Sequence, residues 1–162
     1  MKKITFILMA FLASTAFWQV QAQGEILQAD GVFTACADFQ DGDIYADTGG
    51  IASNYGLNEA ISMQLVAPAG ETLTVDFTTF NVEASWDSLT VTGDTGGFDG
   101  TYDGTDLPPT MTSAAGGGLT FDFSSDSSVT RPGWTANLGI SNCPPPPPVE
   151  AREYCSENMP LE

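Results

Sequence analysis

Apolar and polar residues alternate along much of this chain. Leu73, Val75 and Phe77 share one parity, as do Leu89 and Val91, then Leu119, Phe121 and Phe123, and finally Trp134, Ala136, Leu138 and Ile140. A period of two is the mark of a strand with one buried face. The segment Glu59 to Phe80 divides into two strands at "APAG", where Pro68 and Gly70 form a turn. Gly93 to Pro109 is rich in glycine and acid and ends in Pro108-Pro109, so it reads as loops with one short strand around Tyr102. "DFQDGDIYADTGGIASNYG", from Asp38 onward, reads as a chain of turns, with Gly49 and Gly50 permitting a sharp reversal. No window after residue 22 sustains a helical period. The pattern predicts an all-β domain, a two-sheet antiparallel sandwich that buries one face of each strand.

The remaining segments divide the chain. Residues 1–22 have a basic start at Lys2 and Lys3, an apolar middle, and a small-residue cleavage pattern at Val20 to Ala22, which together predict a secretory signal peptide. Residues 23–35 form an N-terminal lead-in, and 36–143 the sandwich. Residues 144–162 form a linker and short tail that opens with five prolines, Pro144 to Pro148. A polyproline II rod of that length extends about 15 Å and acts as a semi-rigid spacer between domains. The expectation is a module of a larger secreted protein.

Charge and cysteine content sharpen this. The formal net charge is −17, and both lysines lie in the leader, so two arginines, Arg131 and Arg152, face 21 acids in the mature chain. Such a surface repels phosphate backbones and anionic membranes, and attracts divalent cations and basic groups of proteins. No segment after the leader is long and apolar enough to span a bilayer. In an oxidising compartment Cys36 and Cys143, which bracket the predicted strands, can pair if the two ends of the sandwich meet; Cys155 is left over.

The candidate chemistry lies in acids placed beside strands. Glu83 and Asp87, in "FNVEASWDSLTV", fall in the connection between two alternating runs, and Asp126 follows a third run at the start of a Ser-rich turn. These acids are either solvated loop residues of a very acidic protein or converging oxygen ligands for a hard cation, Ca²⁺. Asp38, Asp41 and Asp43 alternate as in a calcium loop, but lack the twelve-residue frame and closing Glu of an EF-hand.

Read in order, "DTGGIASNYG", "LVAPAGETLTVDFTTFNVE", "WDSLTV", "LPPTMTS", "LTFDFSSDSS" and "GWTANL" resemble a CUB domain of the bacterial, secreted kind, over about Asp47 to Ile140. The resemblance implies a jelly-roll-like sandwich. It also implies a calcium ion held by Glu83, Asp87 and Asp126, with oxygens of the Ser127–Ser128 turn, Ser128 in particular, completing the shell. It further implies recognition of an extracellular protein, as in adhesion, through a basic side chain that docks on the acids holding the ion, with Glu83, Asp87 and Trp86 as ligand-binding residues. Ile61, Ala84 and Asp103 stand where animal CUB domains have cysteine, and Trp86 where they have tyrosine. The tyrosine that supports the site in calcium-binding members has no clear counterpart, Asn58 or Glu59 being nearest.

The chain contains no histidine, which removes catalytic triads and most metal-hydrolase sites. The expectation is a non-catalytic module. A rival reading is a carbohydrate-binding jelly roll using Trp86, Tyr102 or Trp134 as an aromatic platform, although the strand position of Trp134 suits the core.

Overall fold

A computed structural model describes residues 23–143. Residues 1–22, where a signal peptide is expected, and residues 144–162, with the five prolines and Cys155, lie outside the described residues. Ten strands are formed: β1 (Glu25–Leu27), β2 (Gly31–Thr34), β3 (Ile44–Ala46), β4 (Ala60–Val66), β5 (Leu73–Asn81), β6 (Ser88–Gly93), β7 (Gly100–Tyr102), β8 (Met111–Thr112), β9 (Gly118–Ser124) and β10 (Gly133–Ile140). Among the described residues the helical content is a single 3-10 turn, Gly50–Ala52, and no helix is long and apolar enough to cross a membrane.

The strands form two five-stranded sheets, ordered β1-β3-β10-β5-β8 and β2-β4-β9-β6-β7. The two-sheet all-β fold is as the alternation predicts, but the sheets are mixed rather than purely antiparallel. β1 runs parallel to β3, and β2 parallel to β4. Both parallel strands come from the lead-in, so Cys36 follows two strands instead of preceding the first. Their short, mostly exposed sequences give little alternation to read, and partners set their position. β3 likewise sits inside the supposed chain of turns; Tyr45 and Ala46 are fully buried there.

The predicted inward residues of β5, β6, β9 and β10 are the core. Trp134 packs edge-on to Phe123 with ring centroids 5.0 Å apart, and Tyr45 lies 5.0 Å from Phe121 and 5.9 Å from Trp134. Each fully buried apolar side chain of this size stabilises by about 1.5–3 kcal/mol through removal from water. In β5 the alternation fails once. Thr79 pairs with Thr135 and Phe77 with Ala136, leaving Thr78 as a bulge, so that Phe77 and Phe80 both point inward. Beyond the bulge β5 carries the chain to Asn81 and the loop that holds Glu83.

Cys36 and Cys143 are disulfide-bonded across a sequence separation of 107, with Cα atoms 5.5 Å apart. The bridge closes the sandwich at the end where β10 finishes. Asp38, Asp41 and Asp43 also lie toward this end, and they are turn fasteners. Asp38 accepts from Thr34 N, Asp41 from Ile140 N, and Asp43 from Gly24 N and Gln40 N, at 2.7–2.8 Å. At the start of β10, Asp47 accepts from Gly49 N at 2.7 Å and from Trp134 N at 3.1 Å, pinning the 3-10 turn to the sheet. Only glycine fits at position 133, because its φ is +68° and a Cβ there would lie 2.0 Å from the Asp47 Oδ2.

Candidate metal centre

Strand register brings the acids together. Ser88 pairs with Ser124, so the residue before β6 and the residues just after β9 meet at one edge of the sandwich. These are Asp87 and Asp126, and the Asp126 N–H donates to Asp87 Oδ1 at 2.7 Å. Glu83 reaches the same place because the chain makes one turn between β5 and β6, with Asp87 N donating to the Glu83 carbonyl at 3.0 Å. Ser85 takes φ +71° inside this turn, and its N–H donates to Asp103 Oδ2 at 2.6 Å. Where cysteines link this region in animal CUB domains, Ala84 instead lies against Gly104, whose added Cβ would sit 3.9 Å away. The Asp103 hydrogen bond and the Val82–Gly104 bridge tie the two loops together.

One carboxylate oxygen from each of Glu83, Asp87 and Asp126 lies within 4.8 Å of the others. At an effective dielectric constant near 20, two unit charges at that separation repel by roughly 3 kcal/mol. Asp87 is 1% exposed, and both its oxygens accept hydrogen bonds, from Asp126 N and from the Tyr55 hydroxyl at 2.5 Å. Glu83 Oε2 is buried with no hydrogen-bond partner. A buried, unpartnered carboxylate oxygen beside two further carboxylates makes an acceptor-only cluster of the kind that could hold a hard divalent cation.

Tyr55, not among the candidates read from sequence, hydrogen-bonds to two of the three acidic residues. Its hydroxyl donates to Asp87 and accepts from Glu83 N at 3.1 Å, and its ring packs edge-on against Phe123 at 5.0 Å. Burial, and then the hydrogen bond to Asp87, hold the phenol well above its ordinary range, so it stays a donor. The signal was present in "SNYG": an aromatic residue that must be buried, next to Asn and Gly, in a segment otherwise read as turns. Asn58 supports the site through its backbone, and Glu59 lies apart from it. Asn58 N donates to the Asp126 carbonyl at 2.7 Å, while the Glu59 carboxylate accepts from Thr48 Oγ1 and Gly56 N. Ser128 is engaged with Asp126 itself, its N–H donating to Oδ1 at 2.8 Å. That contact braces the carboxylate.

Of the three aromatic residues weighed as a sugar platform, Trp134 is fully buried and Tyr102 is partly buried, with its hydroxyl bonded to the Phe98 carbonyl. Trp86, at 70% exposure, stands out from the Glu83–Asp87 loop.

No protein-family model and no curated protein sequence matches this chain. Solved structures do match in fold. The extracellular region of zebrafish Gpr126/Adgrg6 aligns with TM-score 0.57 and 20% identity, over 70% of this chain and 15% of that one. The MASP-1 CUB2 domain bound to Ca²⁺ aligns with TM-score 0.53 and 16% identity, over 68% of this chain and 98% of that domain. The CUB1-EGF-CUB2 segment of human MASP-1/3 gives 0.57 and 15%, over 72% and 43%. The chain thus matches one whole CUB domain and only a fraction of the longer proteins. Its fold is CUB-like.

Proposed function

We propose that this chain is a non-catalytic recognition module of a larger extracellular protein, and that Glu83, Asp87 and Asp126 hold one Ca²⁺ at its ligand-facing edge. The observation that carries this reading is the unpartnered, buried Oε2 of Glu83 inside a cluster of three converging carboxylates. The CUB-like fold supports it, since one structure of that fold is a Ca²⁺-bound domain. The disulfide supports an oxidising, extracellular setting.

Bound there, the ion would neutralise the three carboxylates and fix their outward-facing oxygens. The protein's own residues prepare this arrangement: Tyr55 and the Asp126 N–H orient Asp87, while Ser128 and Asn58 N position Asp126. Fixed carboxylate oxygens accept charge-assisted hydrogen bonds from a lysine or arginine of a protein partner. The acidic surface speeds that encounter in a salt-dependent way.

Binding of a short poly-lysine peptide, with calcium and with chelator at two salt concentrations, tests this. Diffuse attraction to an acidic surface weakens when Ca²⁺ adds positive charge, whereas docking at the site strengthens. The account expects calcium to raise affinity, salt to lower it, and Glu83→Gln or Asp87→Asn to abolish the calcium effect without unfolding. The exposure of Trp86 favours a second reading, glycan binding on an aromatic platform. Salt-insensitive sugar binding on a glycan array that survives Asp87→Asn would select it.

A further inference from the structure

A cleft of about 430 Å³ opens on the outer face of β10, between the 3-10 turn and Pro132, and shares no residue with the carboxylate cluster. That volume lies within the range of small-molecule sites, about 300–1,000 Å³. Its floor comes from the bulge in β5. Because Phe77 and Phe80 both turn inward, Thr78 and Thr79 both stand outward, against Thr135 of β10. The three hydroxyls bond to one another. Thr135 Oγ1 lies 2.8 Å from Thr78 Oγ1 and 2.7 Å from Thr79 Oγ1, Thr78 Oγ1 donates to the Thr135 carbonyl at 3.0 Å, and Thr135 N donates to Thr79 Oγ1 at 3.0 Å. The threonine rotamers are thereby fixed. With each hydroxyl proton spent inside the trio, each oxygen keeps one lone pair for a ligand.

The facing wall is as firmly held. Gly49 packs so closely against the other end of the turn that an added Cβ would lie 2.2 Å from the Asn54 carbonyl oxygen. Asn54 Nδ2 donates to the Thr130 carbonyl at 3.1 Å and to Thr130 Oγ1 at 3.3 Å, which leaves the Asn54 Oδ1 to accept. Ser53 adds a hydroxyl to this wall, while Ile51, 64% exposed, and Pro132 add apolar surface.

None of the residues lining this cleft is charged, in a chain with 21 acids. Two other clefts on the surface each contain aspartate, Asp30 and Asp122 in one and Asp94 in the other. A charged ligand would therefore meet no counter-charge here, and the acidic surroundings repel an anion. An extended peptide is no better served. Thr135 pairs with Ala46 on one side and with Thr79 on the other, so the floor is a sheet face without free ladder groups to receive a further strand. Fixed acceptors beside apolar surface suit a neutral ligand that offers several O–H donors next to C–H groups, which is what a sugar ring presents. We infer that this cleft takes a neutral hexopyranose, presented as a chain end or side branch of a glycan. The site is independent of the calcium edge and of Trp86.

Titration of the isotope-labelled domain, followed by the NMR signals of its amides, tests this with the methyl α-glycosides of glucose, galactose, mannose and N-acetylglucosamine, with methyl glucuronide, and with glycerol. At least one neutral glycoside is expected to shift the signals of Ile51, Ser53, Asn54 and Thr135, with a Kd on the order of 1–10 mM. Glycerol should leave them in place, and the anionic glucuronide should bind at least about threefold more weakly than methyl glucoside. Thr79→Val and Asn54→Ala, each checked for folding by circular dichroism, should weaken the glycoside about fivefold, whereas Trp86→Ala and chelator should change nothing. The inference is overturned if no neutral glycoside shifts these signals, if glycerol shifts them equally, if the glucuronide binds as tightly as the glucoside, or if both cleft substitutions leave binding intact. Shifts confined to the Trp86 loop and lost in Trp86→Ala would overturn it too, placing the sugar on the aromatic platform. The calcium site stands or falls separately, by titration of the metal-free domain.

Discussion

At the scale of single residues, Tyr55 and Asp47 are buried polar groups with separate jobs, one orienting Asp87 at the acidic edge and one pinning the 3-10 turn to β10. Removing the Tyr55 hydroxyl leaves Asp87 Oδ2 buried and short of a donor, and such a loss costs about 1–3 kcal/mol. Tyr55→Phe should therefore lower stability by that amount in urea denaturation and weaken calcium binding, with the ring packing on Phe123 kept. Glu83→Gln should do the opposite to the metal-free domain. It removes one of three mutually repelling charges, and so raises the melting temperature in chelator while erasing the gain that calcium gives. Asp47 makes a separate prediction. Burial, opposed by its backbone hydrogen bonds, raises its carboxyl to about 6, above the 3.8 of an unperturbed group. The folded state then holds the proton more tightly than the unfolded chain, so this contribution to stability is present below about pH 4 and is lost as pH rises through 6. Urea melts of metal-free wild type and Asp47→Asn across pH 4–7 should show the wild type falling relative to the variant; a constant difference would contradict the assignment.

At the scale of elements, what could be read from sequence was whatever repeats. β4, β5, β6, β9 and β10 announce themselves through alternation, and the acids at their ends were locatable because a strand fixes where its loop begins. Three strands of three or four residues, β1, β2 and β3, carry too few alternations to register, and their place is set by pairing with β10 and β4. The Thr78 bulge was invisible for a related reason: "FTTF" reads as a lapse in alternation until a partner strand shows which residue is unpaired. Tyr55 was missed because burial of a loop aromatic depends on what lies above it, here Asp87, which is distant in sequence. The Cys36–Cys143 bridge was legible from compartment and position, and it ties the chain just after β2 to the end of β10. Closing a loop of about 100 residues stabilises by up to about 4.7 kcal/mol in the chain-entropy model. Replacing both cysteines with serine should lower the urea midpoint by the equivalent of about 2–5 kcal/mol and leave the calcium site assembled, because the bridge and the carboxylates lie at different ends of β10.

At the scale of the whole molecule, the described residues form a two-sheet sandwich in a strongly acidic chain, with three carboxylates gathered at one edge. Charge alone would make it a weak, salt-sensitive attractor of any cation. The gathered edge turns that into a specific expectation, since a ligand that binds the native state and not the unfolded chain stabilises by about 2.7 kcal/mol at a hundredfold excess over its Kd. The most direct test is calorimetric titration of the metal-free domain with CaCl₂, repeated on Asp126→Ala, with both proteins checked for folding by circular dichroism. One calcium bound per wild-type domain and none, or a Kd weakened at least about tenfold, in Asp126→Ala is the predicted result. Equal binding heats and stoichiometry in the two proteins, or no heat in the wild type, would contradict it.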